Sequence, residues 1–215
     1  MPVIWIGEFI AECRRGQQRS ACREPSIESG SGRPSGRQIC ANQNEAESGA
    51  PGRTIGCAHA IGAAQQWSKL QVIVFDLAPV CALADEFISQ HGLQDRVRTQ
   101  VGDMWADTFP PADLHFYSQI YHDWPPDRCR LLTRKSFEGL EPGGRVILHE
   151  MLYDARKTGP FSTAAMNINM LLQYEGARQY SGRELSGMLE EAGFSDIEVK
   201  PTFGYYSIVI GHKPG

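Results

Sequence analysis

From residue 57 onward the chain alternates between short apolar runs and segments of helical composition, and this alternation limits the fold more than any other feature. QVIVFDL at 71–77 is an apolar run bounded by polar residues, as expected of a parallel strand buried on both faces. Before it, Ala58 to Trp67 is Ala-rich and helix-compatible. After it come a helix from Ala82 to His91 stopped by Gly92, a strand from Arg96 to Val101 and another from Asp113 to Ile120. A helix from Asp127 to Leu140 is closed by the Pro142-Gly143-Gly144 turn and followed by a strand from Arg145 to Leu152. Phe161 to Tyr174 and Gly182 to Ala192 read as helices, the second with Ser181 as N-cap and Gly193 as C-terminal stop. The chain finishes with two β runs, Asp196 to Lys200 and Tyr205 to His212, separated only by Pro201 to Gly204. Such a pattern specifies an α/β fold with a doubly wound, mostly parallel sheet. The short final link requires the last strand to be antiparallel.

The first part of the chain is of another kind. No Leu precedes Leu70 and no Asp precedes Asp76, although Leu is ordinarily among the commonest residues. Residues 1–56 are rich in Gly, Ser, Arg, Glu, Gln and Pro, which predicts an atypical, irregular segment. Its first ten residues fit either a short strand or a helical turn. The folded domain is therefore expected over 57–215, with its first strand and glycine loop incomplete. A reading of 1–56 in an altered or unrelated frame would account for the change of composition. A net charge of −4 gives no support for nucleic acid as a partner, and no run approaches the roughly 18 apolar residues of a membrane span. The six cysteines form no C-x-x-C pair and the N-terminus lacks a signal pattern, so a reducing, cytoplasmic setting is expected.

In a sheet of this kind ligands bind beyond the carboxyl ends of the strands, which directs attention to Asp76, Asp103, His122 with Asp123, and Glu150. Asp76 ends a strand about 20 residues after the Gly56 region, the separation at which an acid receives ribose hydroxyls. A helix N-cap or a solvated loop is its competing role. Asp103 in GDMW fits an exocyclic amine of a base, with Met104 and Trp105 as apolar neighbours, or an ordinary Gly-Asp turn. His122 suits proton removal near neutral pH, and Glu150 could orient it and balance its charge. A helix cap through Asp123 is the alternative. His149, beside Glu150, should point to the opposite face of its strand. Gly52, Gly56 and Gly62 do not match G-x-G-x-x-G, which argues against a nicotinamide-dependent oxidoreductase.

VFDLAPV (74–80), VGDMW (101–105), IYHDWPPDRC (120–129), LEPGGRVILHEM (140–151), MNINML (166–171) and LEEAGFSDIEVKPT (189–202) occur together in one order. On these motifs the run from about Gln65 to Pro214 resembles the class I S-adenosylmethionine-dependent O-methyltransferases, of the plant caffeic acid, hydroxyindole and bacterial polyketide kind. The resemblance implies a Rossmann-like methyltransferase sheet and S-adenosyl-L-methionine as cofactor. The acceptor it implies is a small-molecule hydroxyl, phenolic in this family, with no metal. It assigns His122 as general base and Glu150 as the acid that orients it. The cofactor set becomes Asp76, Leu77, Gly102, Asp103, Met104 and Ser118, and Met166, Asn167 and Met170 line the acceptor pocket; by residue type Met166, Met170, Phe161 and Tyr174 fit a flat apolar pocket or an ordinary helix core. Ser118 stands where many plant members carry Lys, and Gln179 where many carry a second acid beside the histidine; an amide can orient the ring but cannot balance its charge. The glycine-rich motif and the helical N-terminal domain through which the family forms homodimers are missing from the pattern. A non-catalytic remnant with weak or no cofactor binding is therefore the alternative function.

Overall fold

The computed structural model describes residues 2–6 and 57–215, Tyr174 excepted. All of them fall in one unit formed by Met1–Glu8 and Ile55–Gly215. Strands β1 (Pro2–Ile6), β2 (Gln71–Asp76), β3 (Val97–Val101), β4 (Ala112–Ser118), β5 (Leu140–Glu150), β6 (Ser195–Pro201) and β7 (Ser207–His212) form one sheet in the order β3-β2-β1-β4-β5-β7-β6. The first five strands are mutually parallel, whereas β7 pairs antiparallel with both β5 and β6. Helices α1 (Ala58–Gln66), α2 (Ala78–Gln90), α3 (Pro126–Gly139), α4 (Phe161–Gln173) and α5 (Gly182–Ala192) complete the unit.

Of the two forms that the first ten residues fit, β1 is the short strand, and it lies within the segment expected to be irregular. Trp5 lies opposite Val74 on one side and Phe116 on the other, so the pentapeptide PVIWI fills the central slot between β2 and β4. Its β-branched residues suit a strand paired at both edges, and Pro2 stands at the first position, where the missing N–H costs least. Residues 7–56, which include Gly52 and Gly56, lie outside the described residues.

Other boundaries shift for local reasons. α2 begins at Ala78 rather than Ala82, because Pro79 lies in its first turn, where a helix leaves N–H groups unbonded anyway. β5 begins at Leu140 rather than Arg145. The Pro142-Gly143-Gly144 turn is absorbed into the strand by a shift in its pairing with β4, and Gly143 adopts φ +80°. A β-carbon at Gly144 would lie 2.7 Å from the Glu141 carbonyl oxygen. α5 carries a full capping box, Ser181 accepting from the Glu184 N–H while the Glu184 carboxylate accepts from the Ser181 N–H, and Gly193 ends it at φ +104°.

The two faces of the sheet hold separate cores. Tyr117, Leu132, Leu148, Leu185, Leu189 and Val209 pack on the side of α3 and α5. Ala60, Ala64, Val72, Val74, Ile88 and Val97 pack on the side of α1 and α2. Among the described residues no helix is long and apolar enough to cross a membrane, and Cys57, Cys81 and Cys129 are free and buried.

Candidate active site

Because β1 to β5 run parallel, their carboxyl ends share one edge of the sheet, and the turn Tyr121–Asp123 after β4 is built there with little freedom. Glu150, at the end of β5 and only 2% exposed, accepts the Tyr121 N–H through Oε1 (2.9 Å) and contacts His122 Nδ1 through Oε2 (2.6 Å). The His122 carbonyl accepts the Arg178 N–H (2.8 Å), the Tyr121 carbonyl accepts from Cys129 Sγ (3.3 Å), and the Tyr180 hydroxyl donates to the Trp124 carbonyl (2.7 Å). The peptides on both sides of the imidazole are therefore tied to β5, to α3 and to the segment before α5. A neutral ring that donates Nδ1–H to the buried carboxylate carries its lone pair on Nε2, which is the tautomer a proton acceptor needs.

Nε2 has a neighbour of its own. Asp123 Oδ1 lies 3.3 Å away. Burial pushes the Asp123 carboxyl up to about 6, opposed by His122 and reinforced by Glu150. The ring thus stands between two carboxylates, both placed to offset the positive charge it gains on taking a proton. Asp123 entered the sequence reading beside His122 at the strand end and as a helix cap; its contact with Nε2 depends on the tight turn, which motif spacing does not report.

A second cluster surrounds Asp76 at the end of β2. Its Oδ1 accepts the Leu77 N–H (2.8 Å), whereas Oδ2 is buried with no hydrogen-bond partner among the described residues. Burial pushes this carboxyl up to about 7, against the opposing effect of the Leu77 N–H. Beside it Val101, its ladder partner on β3, is 60% exposed, and Leu77 is 50% exposed, so apolar surface flanks a carboxylate whose Oδ2 lacks a donor among the described residues. Val101 was missed because it reads simply as the last residue of a strand. Gly102 follows it: a β-carbon there would fall 2.2 Å from the Phe75 ring, so the backbone passes directly over that side chain. Asp103 makes the turn expected of a Gly-Asp pair, its Oδ1 accepting the Trp105 N–H and its own N–H donating to Asp107 Oδ2, both at 2.8 Å. Met104 is buried, and Trp105 meets Trp124 edge to face at 4.6 Å, tying the loop after β3 to the His122 turn.

The remaining expected residues separate. Ser118 Oγ bonds His149 Nδ1 (2.9 Å), and His149, on the opposite face of β5 from Glu150, stacks on Tyr206 at 4.8 Å. On α4, Met166 is half-buried and Met170 buried, and Asn167 Oδ1 accepts the Gln179 N–H (2.7 Å). Phe161 is 88% exposed and so lines no enclosed pocket, and Tyr174 lies outside the described residues. Gln179 itself is buried, and neither polar atom of its carboxamide has a partner among the described residues.

The strand order, the antiparallel β7 and a ligand edge holding Asp76, His122 and Glu150 define the class as an S-adenosylmethionine-dependent methyltransferase fold. Residues 52–195 match the family model for the O-methyltransferase domain, and the chain belongs to that family. It is 35% identical over 142 residues to the acetylserotonin O-methyltransferase of Gallus gallus, covering 66% of this chain and 40% of that protein. To the 3-hydroxy-5-methyl-1-naphthoate 3-O-methyltransferase of Streptomyces sahachiroi it is 37% identical over 134 residues, covering 62% and 39%. The crystal structure of human N-acetylserotonin methyltransferase in complex with S-adenosylmethionine superposes with a TM-score of 0.68 at 28% identity, covering 74% of this chain and 45% of that one. The chain spans about 40% of the length of the curated relatives it matches.

Proposed function

We propose that the chain carries the catalytic half of an S-adenosylmethionine-dependent O-methyltransferase acting on an aromatic hydroxyl of a small molecule, with His122 as general base. The observation that carries this reading is the 2.6 Å contact between His122 Nδ1 and Glu150 Oε2 in a turn anchored on every side. The names of the relatives, which act on acetylserotonin and on a hydroxynaphthoate, support the acceptor class.

The residues at the end of β2 fit the cofactor. The buried, unpartnered Oδ2 of Asp76 is an acceptor waiting for a donor, and a ribose diol supplies two. Leu77, Val101 and Met104 offer apolar surface to the base. When bound, S-adenosylmethionine supplies a methyl group on a positively charged sulfur. The chain's own task is to deprotonate and to align. A phenol with a pKa of about 10 is scarcely ionised at neutral pH, so His122 Nε2 takes its proton as the oxygen becomes a nucleophile. Glu150 and Asp123 offset the imidazolium charge, and the braced turn holds the ring in line, which converts an encounter of two molecules into a reaction within one complex.

Calorimetric titration with S-adenosylmethionine, followed by methyl-transfer assays on 2-naphthol, tests the proposal. His122→Ala should bind the cofactor as the wild type does and lose about 10²- to 10⁴-fold in turnover. Absence of binding heat at high micromolar ligand, or full turnover by the Ala variant, would refute it.

A further inference from the structure

Among the described residues, four side chains hold buried polar atoms without partners: Asp76 through Oδ2, His115 through Nε2, Ser162 through Oγ and Gln179 through both Nε2 and Oε1. Gln179 is the most demanding, because its carboxamide brings two donors and an acceptor and is 1% exposed. Its surroundings make a simple core role a poor account. The Arg178 N–H is bonded to the carbonyl of His122, the Gln179 N–H to Asn167 on α4, and the hydroxyl of Tyr180 to the carbonyl of Trp124. Residues 178–180 are thus stitched on one side to the turn bearing the base and on the other to the helix assigned to the acceptor. Neither bonding site of the carboxamide is consumed by this stitching. The backbone beneath the amide is thus held from both sides, while the amide itself has no partner among the described residues.

We infer that Gln179 is a specificity residue whose carboxamide binds a second oxygen on the acceptor, adjacent to the hydroxyl that is methylated. The inference rests on the methyltransferase reading. A carboxylate at this place could only accept a hydrogen bond, whereas the amide both donates and accepts, so it is matched to a vicinal hydroxyl or carbonyl. Its preference should lie in affinity more than in turnover, since it acts on the part of the acceptor that does not react.

The test compares 2,3-dihydroxynaphthalene with 2-naphthol, two neutral probes of nearly the same shape, in calorimetric titrations of the full chain saturated with S-adenosylhomocysteine. Wild type should bind the diol about tenfold more tightly. Gln179→Leu should remove that advantage, weakening the diol about tenfold while 2-naphthol stays within about twofold. Gln179→Met, of similar length and without hydrogen-bonding groups, guards against misfolding of the Leu variant and should give the same result. Equal losses on both probes with a fall in turnover would mean that Gln179 merely orients His122, and would overturn the inference. So would no loss on either probe, or no binding of either by wild type. Failure of the methyltransferase reading is distinguishable, because it appears as missing S-adenosylmethionine binding, which these substitutions do not touch.

Discussion

Replacing Asp76 with Asn should move apo stability and cofactor affinity in opposite directions, and pH separates the two effects. In the unfolded chain this carboxyl ionises near 3.8; in the fold burial pushes it up to about 7. Between those values the folded state keeps a proton that the unfolded state has lost. Wild-type stability therefore falls as pH rises, by at most about 1.4 kcal/mol per pH unit and about 4 kcal/mol in all, and levels off above about pH 7. Asn carries no charge to desolvate, although its amide N–H groups sit where Oδ2 had no partner, at a pH-independent cost of about 1–3 kcal/mol. The stability of the Asp76→Asn variant relative to wild type, measured by urea denaturation without ligand, should consequently increase from pH 4 to pH 7 and then remain constant. Cofactor donors favour the ionised carboxylate, so wild-type S-adenosylmethionine affinity should weaken about tenfold between pH 8 and pH 6, and the variant should bind weakly with no such dependence. A stability difference that is the same at pH 4.5 and pH 8 would refute the buried, unpartnered carboxylate on which the argument depends.

Glu150→Gln keeps an oxygen for the Tyr121 N–H but removes the negative charge from His122. Turnover should fall by roughly 10²-fold while the calorimetric affinity for S-adenosylmethionine is unchanged, and a variant retaining half its activity would contradict the role given to the acid. Gly102→Ala forces a β-carbon into the Phe75 ring, 2.2 Å away. A loss of about 1–3 kcal/mol in urea denaturation is expected, partly recovered by Phe75→Leu, and a loss below about 0.5 kcal/mol, the level of an ordinary surface change, would count against the close approach.

What the sequence made legible depended on whether the cause was local. β2 announced itself because a strand buried on both faces must be apolar throughout, and α5 because Ser181, Glu184 and Gly193 cap their own helix. β1 was ambiguous, since five apolar residues do not specify a slot. The partners that make Pro2–Ile6 a central strand lie some seventy and more than one hundred residues away. α2 begins four residues before the sequence reading placed it, and its first turn accommodates Pro79.

The site divides along the same line. That Asp76, His122 and Glu150 share one edge follows from parallel strands, but their contact follows from register. Ser118 on β4 pairs with His149 on β5, so Glu150 extends one residue past the end of β4. Alternation then turns Glu150 away from the face on which His149 stacks against Tyr206. With β4 ended, the chain closes into the Tyr121–Asp123 turn, and the Tyr121 N–H and the His122 ring fall on the two oxygens of one carboxylate. A slip of one residue in that ladder would present His149 at this edge instead and leave His122 without its acid. The proposed catalytic pair is thus a consequence of strand pairing, and motif spacing reports it only because the motif and the register are read together.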